Sequence, residues 1–172
     1  PGGKTTQLAG IMNNEGYILA NELDKIRCER LKHNVEVQGA TIVEVINSRG
    51  EKLGETYENY FDKVLLDTPC SGEGRFLAYS SATYRDWSLK IVNQLTKLQR
   101  KLFDSAYKAV KPGGTIVYST CTINKNENEF ILEWILNNYK VKLSDINLNI
   151  KDSIQGSNEG LNREIEKSIK IL

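Results

Sequence analysis

One histidine, three cysteines, no long apolar run and almost no net charge place this sequence outside several common protein designs. Cys28, Cys70 and Cys121 are too few and too scattered for a disulfide scaffold, and with His33 they form no zinc-ligand spacing. A reducing compartment and the absence of a structural metal are the expectations. No stretch approaches the ~20 apolar residues of a membrane-spanning helix, and no signal peptide is expected. Lys and Arg number 23 against 22 Asp and Glu, so the formal charge is +1 and any polyanionic partner must be held by local patches. There is no internal repeat. What is present is ordinary globular composition, 40% hydrophobic and 26% charged. A chain of 172 residues suits one domain that buries roughly 70% of its unfolded surface.

Short β-rich runs alternate with helical patterns, as parallel βαβ units do. Strands are predicted at Tyr17 to Asn21, Thr41 to Ile46, Lys63 to Asp67 and Thr115 to Thr120. The clearest helix places Ile91, Leu95, Leu98, Leu102, Ala106, Ala109 and Val110 on one face, and Lys111-Pro112-Gly113-Gly114 stops it. Further helices are predicted at Thr5 to Asn14, Asp24 to Val35 and Asn126 to Tyr139. Beyond Tyr139 the chain is rich in Asn and Lys and lacks a strong period. Ser71 to Ser88 is a long connection carrying Arg75, Phe76, Tyr79, Tyr84, Arg85 and Trp87. It fits two readings, a segment that stacks on bases and holds phosphates, or a surface loop whose aromatics pack back on the body.

In an open parallel sheet, ligands bind beyond the carboxyl ends of the strands. Glu22 follows the first predicted strand, Asn47 the second, Asp67 ends the third and Cys121 follows the fourth. Pro1-Gly2-Gly3-Lys4 precedes the first helix, where a Gly-rich turn lets backbone N–H groups approach a ligand. An acidic side chain 18 residues after that turn, Glu22, suits the two hydroxyls of a ribose. The pattern points to a nucleoside-containing cofactor. Either feature alone also has a plain reading, a tight turn or a helix N-terminal charge.

Asp67-Thr68-Pro69-Cys70-Ser71-Gly72 is harder to read as stability alone. Carbon 5 of cytosine is a poor nucleophile, so methylating it calls for a thiolate to add at carbon 6 and an acid to stabilise the ring. A second thiol can then assist release. Cys70 and Cys121 are 51 residues apart, at the ends of strands expected to be neighbours. Cys28 reads instead as a small buried hydrophobe on its helix, and His33 as a solvated helix residue.

The segments PGGKTTQLA (1 to 9), ANELDKIRCERLKHN (20 to 34), FDKVLLDTPCSGEGRF (61 to 76) and KPGGTIVYSTCTINKNENEF (111 to 130) resemble the NOL1/NOP2/Sun family of RNA 5-methylcytosine methyltransferases. The resemblance runs in order over residues 1 to 140. It implies an α/β, Rossmann-like, three-layer αβα methyltransferase fold that uses S-adenosylmethionine and acts on rRNA or tRNA; the expected compartment is the cytoplasm, with the nucleus or an organelle as alternatives. It further implies that Cys121 is the nucleophile, that Cys70 aids product release, and that Pro1, Gly2, Gly3 and Lys4 line the cofactor site. Glu22 would hold the ribose, Asp67 would lie between cofactor and target base, and Lys4 would also approach the base. One position departs: where family members commonly carry an Asp near the adenine, this chain has Asn47. Residues 1–172 thus read as a partial catalytic domain, with the motifs in 1–140 and a C-terminal segment in 141–172. The chain opens inside the first motif, and Ile169 to Leu172 resembles the start of a closing β-hairpin, so truncation at both ends is expected.

Three other readings compete. Gly3-Lys4-Thr5 could end a phosphate-binding loop and Val64 to Asp67 could be the acidic strand of a P-loop NTPase, which leaves Cys70 and Cys121 without a purpose. An amino-group methyltransferase would need an aromatic residue where Cys70 stands. A non-catalytic RNA-binding module would draw on the seven basic residues between Arg85 and Lys111, but the intact Cys70, Cys121 and Asp67 favour an enzyme.

Overall fold

Gly2 sits at φ 111° immediately before the first helix, a left-handed conformation that lets the chain enter α1 (Gly3–Ile11). The computed structural model describes residues 1–77, 79–146, 153–156 and 159–171, and these form two compact units, Pro1–Asp62 with Asp104–Gly114 and Lys63–Phe103 with Thr115–Leu172.

In the first unit, α1 is followed by a turn through Asn13, Asn14 and Gly16, all at positive φ, and then by β1 (Ile18–Asn21). Asp24 caps α2 (Lys25–Val37) by accepting from the Arg27 N–H at 2.8 Å. Cys28, Leu31 and Val35 recur at helical spacing and are the buried residues of α2. They lie over β1 and β2 (Val43–Ile46), which pair in parallel from Ile18↔Val43 to Asn21↔Ile46. Ala9, Ala20, Leu31, Val35 and Ala40 form the core there, with Ile18, Ile42, Val43 and Val45 packed against it. Fully burying a side chain such as Leu31 or Val35 contributes about 1.5–3 kcal/mol. The alternation of strand and helix predicted from sequence is present, each element within a few residues of its expected ends. A short α3 (Leu53–Thr56) was not anticipated. It is tied down by Ser105, whose Oγ accepts from the Gly54 N–H at 2.8 Å and donates to the Gly50 carbonyl at 2.7 Å.

β3 (Phe61–Asp67) pairs with β4 (Val110–Ser119), as the sequence reading required of the strands carrying the two Cys motifs. β4 starts five residues earlier than predicted, because backbone hydrogen bonds begin at Asn59 and Tyr60, which donate to the Lys108 and Ala109 carbonyls. Gly113, at φ 81°, keeps the Lys-Pro-Gly-Gly stretch within that strand. The helix before it, α4 (Leu89–Ala109), ends where expected, and its buried positions are Val92, Gln99, Phe103, Ser105, Ala106 and Ala109. Ile91, Leu95, Leu98 and Leu102 are only half-buried. The predicted Ala106 and Ala109 are buried, and the buried residues before them include a glutamine that apolar periodicity skips.

In the second unit, α5 (Glu129–Asn138) begins three residues later than predicted. Asn128 explains the delay: its side-chain amide donates to the Thr122 and Asn124 carbonyls, holding the preceding residues in a turn. Phe103, Trp134 and Tyr139 stack edge-to-face, with the Arg100 guanidinium 5.2 Å from the Trp134 ring centre. β5 (Ser153–Gln155) pairs antiparallel with β6 (Ile169–Ile171), so the segment expected to enter a hairpin is a strand through Ile171, and Leu172 lies outside the described residues. Among the described residues no helix is long and apolar enough to cross a membrane.

Candidate active site

The pairing of β3 with β4 brings two chain exits side by side. Thr68, buried just past β3, donates its N–H to the Ser119 carbonyl at 3.0 Å, and two residues later on each strand come Cys70 and Cys121. Their sulfurs are 2.8 Å apart and unbonded, against the ~2.05 Å of a disulfide. The Cys121 N–H donates to Cys70 Sγ at 3.1 Å. The two thiols are not equivalent. Cys121 is exposed and Cys70 half-buried, and burial, reinforced by the hydrogen bond with Cys121, pushes the Cys70 thiol up to about 11. Cys70 therefore keeps its proton at neutral pH, next to a thiol that solutes can reach. Asp67, exposed at the end of β3, precedes Cys70 by three residues.

Behind the thiols lies a polar network that sequence reasoning missed. The Glu127 carboxylate, fully buried, accepts from the Ser71 N–H at 3.0 Å, from the Ser71 hydroxyl and from the Gln99 side-chain amide at 2.9 Å. The same Gln99 amide donates to the Pro69 carbonyl at 3.0 Å. Ser71 and Thr122 share a hydroxyl contact of 3.0 Å, which links the residue after Cys70 to the residue after Cys121. The only sequence signal was the position of Gln99 on the apolar side of α4. Glu127, at the start of the helix predicted from Asn126, carries no sequence signal of burial.

The connection from Ser71 to Ser88 is partly ordered by Glu73, which accepts from Trp87 Nε1 at 2.9 Å and from the Asn124 amide at 2.7 Å. Phe76 packs on Tyr84 and Trp87, with ring centres 6.0 and 6.5 Å apart. These three aromatics pack within the loop, while Tyr79 stands 86% exposed. Gly74 passes so close to the Cys121 carbonyl that an added Cβ would lie 3.1 Å from it.

In the first unit, the parallel register that pairs Asn21 with Ile46 carries Glu22 and Asn47 to adjacent strand ends. The Asn47 amide donates to the Glu22 and Leu23 carbonyls at 2.7 and 2.8 Å, so Asn47 braces the turn that presents Glu22. Glu22 accepts from the Asp24 N–H at 3.0 Å and from Arg27 Nε at 2.8 Å. Burial alone would raise its carboxyl, but the Arg27 guanidinium and the Asp24 amide outweigh it and hold it below the usual carboxylate range. The Pro1 carbonyl accepts from the Asn34 amide at 2.6 Å, and Gly2 lies against Leu31, where a Cβ would come within 3.0 Å. At Gly3 the space a Cβ would occupy is open, and Lys4 is exposed in the first turn of α1. This donor and acceptor set fits a nucleoside: an ionised carboxylate with lone pairs left for two hydroxyls, beside a turn whose backbone a ligand can approach. Cys28 is buried, with its sulfur 3.6 Å from the Ile46 carbonyl, and His33 is exposed, as the sequence reading had them. Among the described residues no group of three or more His, Cys, Asp or Glu could hold a metal ion.

Comparison with known proteins gives a consistent picture. The chain is 40% identical over 164 residues to ribosomal RNA small subunit methyltransferase F from Escherichia coli (strain SMS-3-5 / SECEC), and equally so to that of Shigella boydii serotype 18. The match covers 95% of this chain and 34% of those proteins, so the chain spans about a third of the length of the curated relatives it matches. A methyltransferase homolog protein from Pyrococcus horikoshii superposes with a TM-score of 0.81 at 32% identity, over 97% of this chain and 52% of that one. NSun6 from Pyrococcus horikoshii, solved with SFG, gives 0.75 at 28% identity, over 95% of this chain and 40% of that one. These neighbours establish a Rossmann-like α/β methyltransferase fold. The model of the family described as 16S rRNA methyltransferase RsmB/F matches residues 1–167, and the chain belongs to that family.

Proposed function

We propose that the protein carrying this chain methylates carbon 5 of a cytosine in RNA, with S-adenosylmethionine as methyl donor and the small-subunit ribosomal RNA as substrate. The observation that carries this reading is the pair of inequivalent thiols, 2.8 Å apart at the ends of two paired strands. Cys121, the exposed one, adds as a thiolate to carbon 6 of the cytosine, and the Asp67 carboxyl stabilises the ring as electrons move toward nitrogen 3. S-adenosylmethionine, when bound, supplies the methyl group that carbon 5 then takes. Release requires the carbon 5 proton to leave to solvent. The electron pair of that bond restores the ring double bond, and the bond from carbon 6 to sulfur breaks. The departing Cys121 thiolate is stabilised by the S–H of Cys70, which burial keeps protonated. Glu22 holds the ribose hydroxyls, Pro1, Gly2, Gly3 and Lys4 line the cofactor's approach, and Lys4 also approaches the base. Asn47 acts by bracing Glu22, as well as standing where relatives place an acidic residue.

The relatives' names support ribosomal RNA over transfer RNA as the substrate. The test is to incubate the intact protein with 16S rRNA and S-adenosylmethionine carrying a labelled methyl group, then digest to nucleosides. Label in 5-methylcytidine is the expected result. Label on a ring nitrogen or an exocyclic amine, or transfer to transfer RNA alone, would overturn it.

A further inference from the structure

Glu127 is a buried carboxylate, and among the described residues no Lys or Arg pairs with it. Its partners are neutral donors: the Ser71 N–H, the Ser71 hydroxyl and the Gln99 amide. Taking such a charge out of water is costly, and a well-packed apolar residue would serve packing alone at least as well. Gln99 is equally buried, and its amide divides its two protons between the Pro69 carbonyl and Glu127. Pro69 and Ser71 are the two residues that flank Cys70. One side chain therefore holds the carbonyl before the thiol, the other holds the amide after it, and the two are bonded to each other. The network reaches the other strand as well, through the Ser71 hydroxyl on Thr122 and through the Tyr118 hydroxyl, which donates to the Glu127 carbonyl at 2.8 Å.

We infer that Glu127 and Gln99 are positioning residues, a buried clamp that fixes the Pro69-Cys70-Ser71 turn so that the Cys70 sulfur meets Cys121. The chemistry demands this on the thiol side, because a thiol can stabilise a departing thiolate only across a hydrogen-bonding distance. A carboxylate is the group for the task at 127. One of its oxygens accepts from both the Ser71 N–H and the Gln99 amide and the other accepts from the Ser71 hydroxyl, whereas an amide there would set an NH2 group against that hydroxyl and remove the charge from every one of these bonds.

The direct test reads the distance between the sulfurs and does not depend on catalysis. A bifunctional bimane that fluoresces on bridging two adjacent thiols is applied to the intact protein, and peptide mapping identifies the Cys70–Cys121 bridge. Glu127→Gln is expected to bridge about ten-fold more slowly than the unaltered protein, the loss that one charge-assisted hydrogen bond corresponds to. Its far-ultraviolet circular dichroism is expected to stay the same. Gln99→Met, which keeps volume and removes the amide, is expected to show the same slowing and serves if Glu127→Gln folds poorly. Bridging at the unaltered rate in folded Glu127→Gln or Gln99→Met would overturn the inference. The consequence for turnover rests on the role proposed above for Cys70: Glu127→Gln then accumulates a covalent RNA adduct as Cys70→Ala does, and adds little to Cys70→Ala in the double variant. If bridging slows while neither variant accumulates adduct, the clamp stands and the role of Cys70 in release falls.

Discussion

The backbone N–H of Cys121 donates to the sulfur of Cys70, so the peptide that carries the exposed thiol also anchors the protonated one. This hydrogen bond crosses between the ends of β3 and β4 and depends on both chains leaving their strands at the same level. Thr68 enforces that level by donating both its N–H and its hydroxyl to the Ser119 carbonyl. A pair of thiols placed by strand pairing, with one raised by burial, separates two chemical tasks that a single cysteine would have to combine.

Cys70 should alkylate late in a pH series. An ordinary cysteine has a value of 9.0 and Cys70 is pushed up to about 11, so at pH 8 its thiolate fraction is about 100-fold lower than that of an unperturbed thiol. Peptide-resolved iodoacetamide kinetics should show the Cys70 rate still rising above pH 10. A plateau near pH 9 would contradict the burial argument. The same shift makes stability pH-dependent: the native protein keeps the proton that the unfolded chain loses, so this contribution is complete below pH 9 and is lost as pH rises toward about 11.

Glu22→Ala should weaken S-adenosylmethionine binding to the intact protein by about 1 to 3 kcal/mol, through loss of charge-assisted hydrogen bonds to the ribose. Asn47→Ala should cost less, because it removes the brace and not the carboxylate. Since Arg27 and the Asp24 amide hold the Glu22 carboxyl below the usual range, the group stays ionised as pH falls to 5. The part of the affinity it supplies should be flat from pH 8 to 5 and fall only below the ordinary carboxylate range. Titration calorimetry at several pH values checks both. Unchanged affinity in Glu22→Ala would remove the ribose assignment.

Two glycines should respond in opposite ways. A Cβ at Gly54 would lie 2.4 Å from the Ser105 carbonyl oxygen and 2.9 Å from Lys108 Cβ, so Gly54→Ala should lower stability by about 1–3 kcal/mol or more in denaturant titration. At Gly3 nothing lies within 4 Å, so Gly3→Ala should leave stability unchanged or slightly raised. If the backbone there approaches the cofactor, Gly3→Ala should nonetheless weaken S-adenosylmethionine binding. A loss of stability without a loss of affinity would assign Gly3 to folding alone.

The parts of this site that were legible in the sequence are those governed by strand ends. Alternating short apolar runs and helical periods located β1 to β4, and once β3 and β4 are neighbours Cys70 and Cys121 must approach. The Gln99–Glu127 network was not legible, because a polar residue is read as exposed unless a partner is known, and these partners lie 28 residues apart. The predicted face of α4 holds at its C-terminal end, where Ala106, Ala109 and Val110 are buried, and fails before it for the same reason: leucines define an apolar stripe in sequence, yet Gln99 takes a buried position because the Pro69 carbonyl and Glu127 need a donor there. Asn47 read as a cofactor contact, and its donation to the carbonyls of Glu22 and Leu23 was not legible, because only the parallel register of β1 and β2 brings these residues together.

The division of labour between the two thiols is tested most directly by trapping the covalent adduct. Intact Cys70→Ala and Cys121→Ala proteins, each confirmed as folded, since a buried Cys→Ala change can cost ~1 kcal/mol or more through packing alone, are incubated with 16S rRNA and S-adenosylmethionine and run on a denaturing gel. If Cys121 bonds to carbon 6 and Cys70 assists its departure, Cys70→Ala shows a slow-migrating protein–RNA band and Cys121→Ala shows neither band nor methyl transfer. A band with Cys121→Ala and none with Cys70→Ala would reverse the roles, and methyl transfer undiminished in both would contradict the two-thiol account.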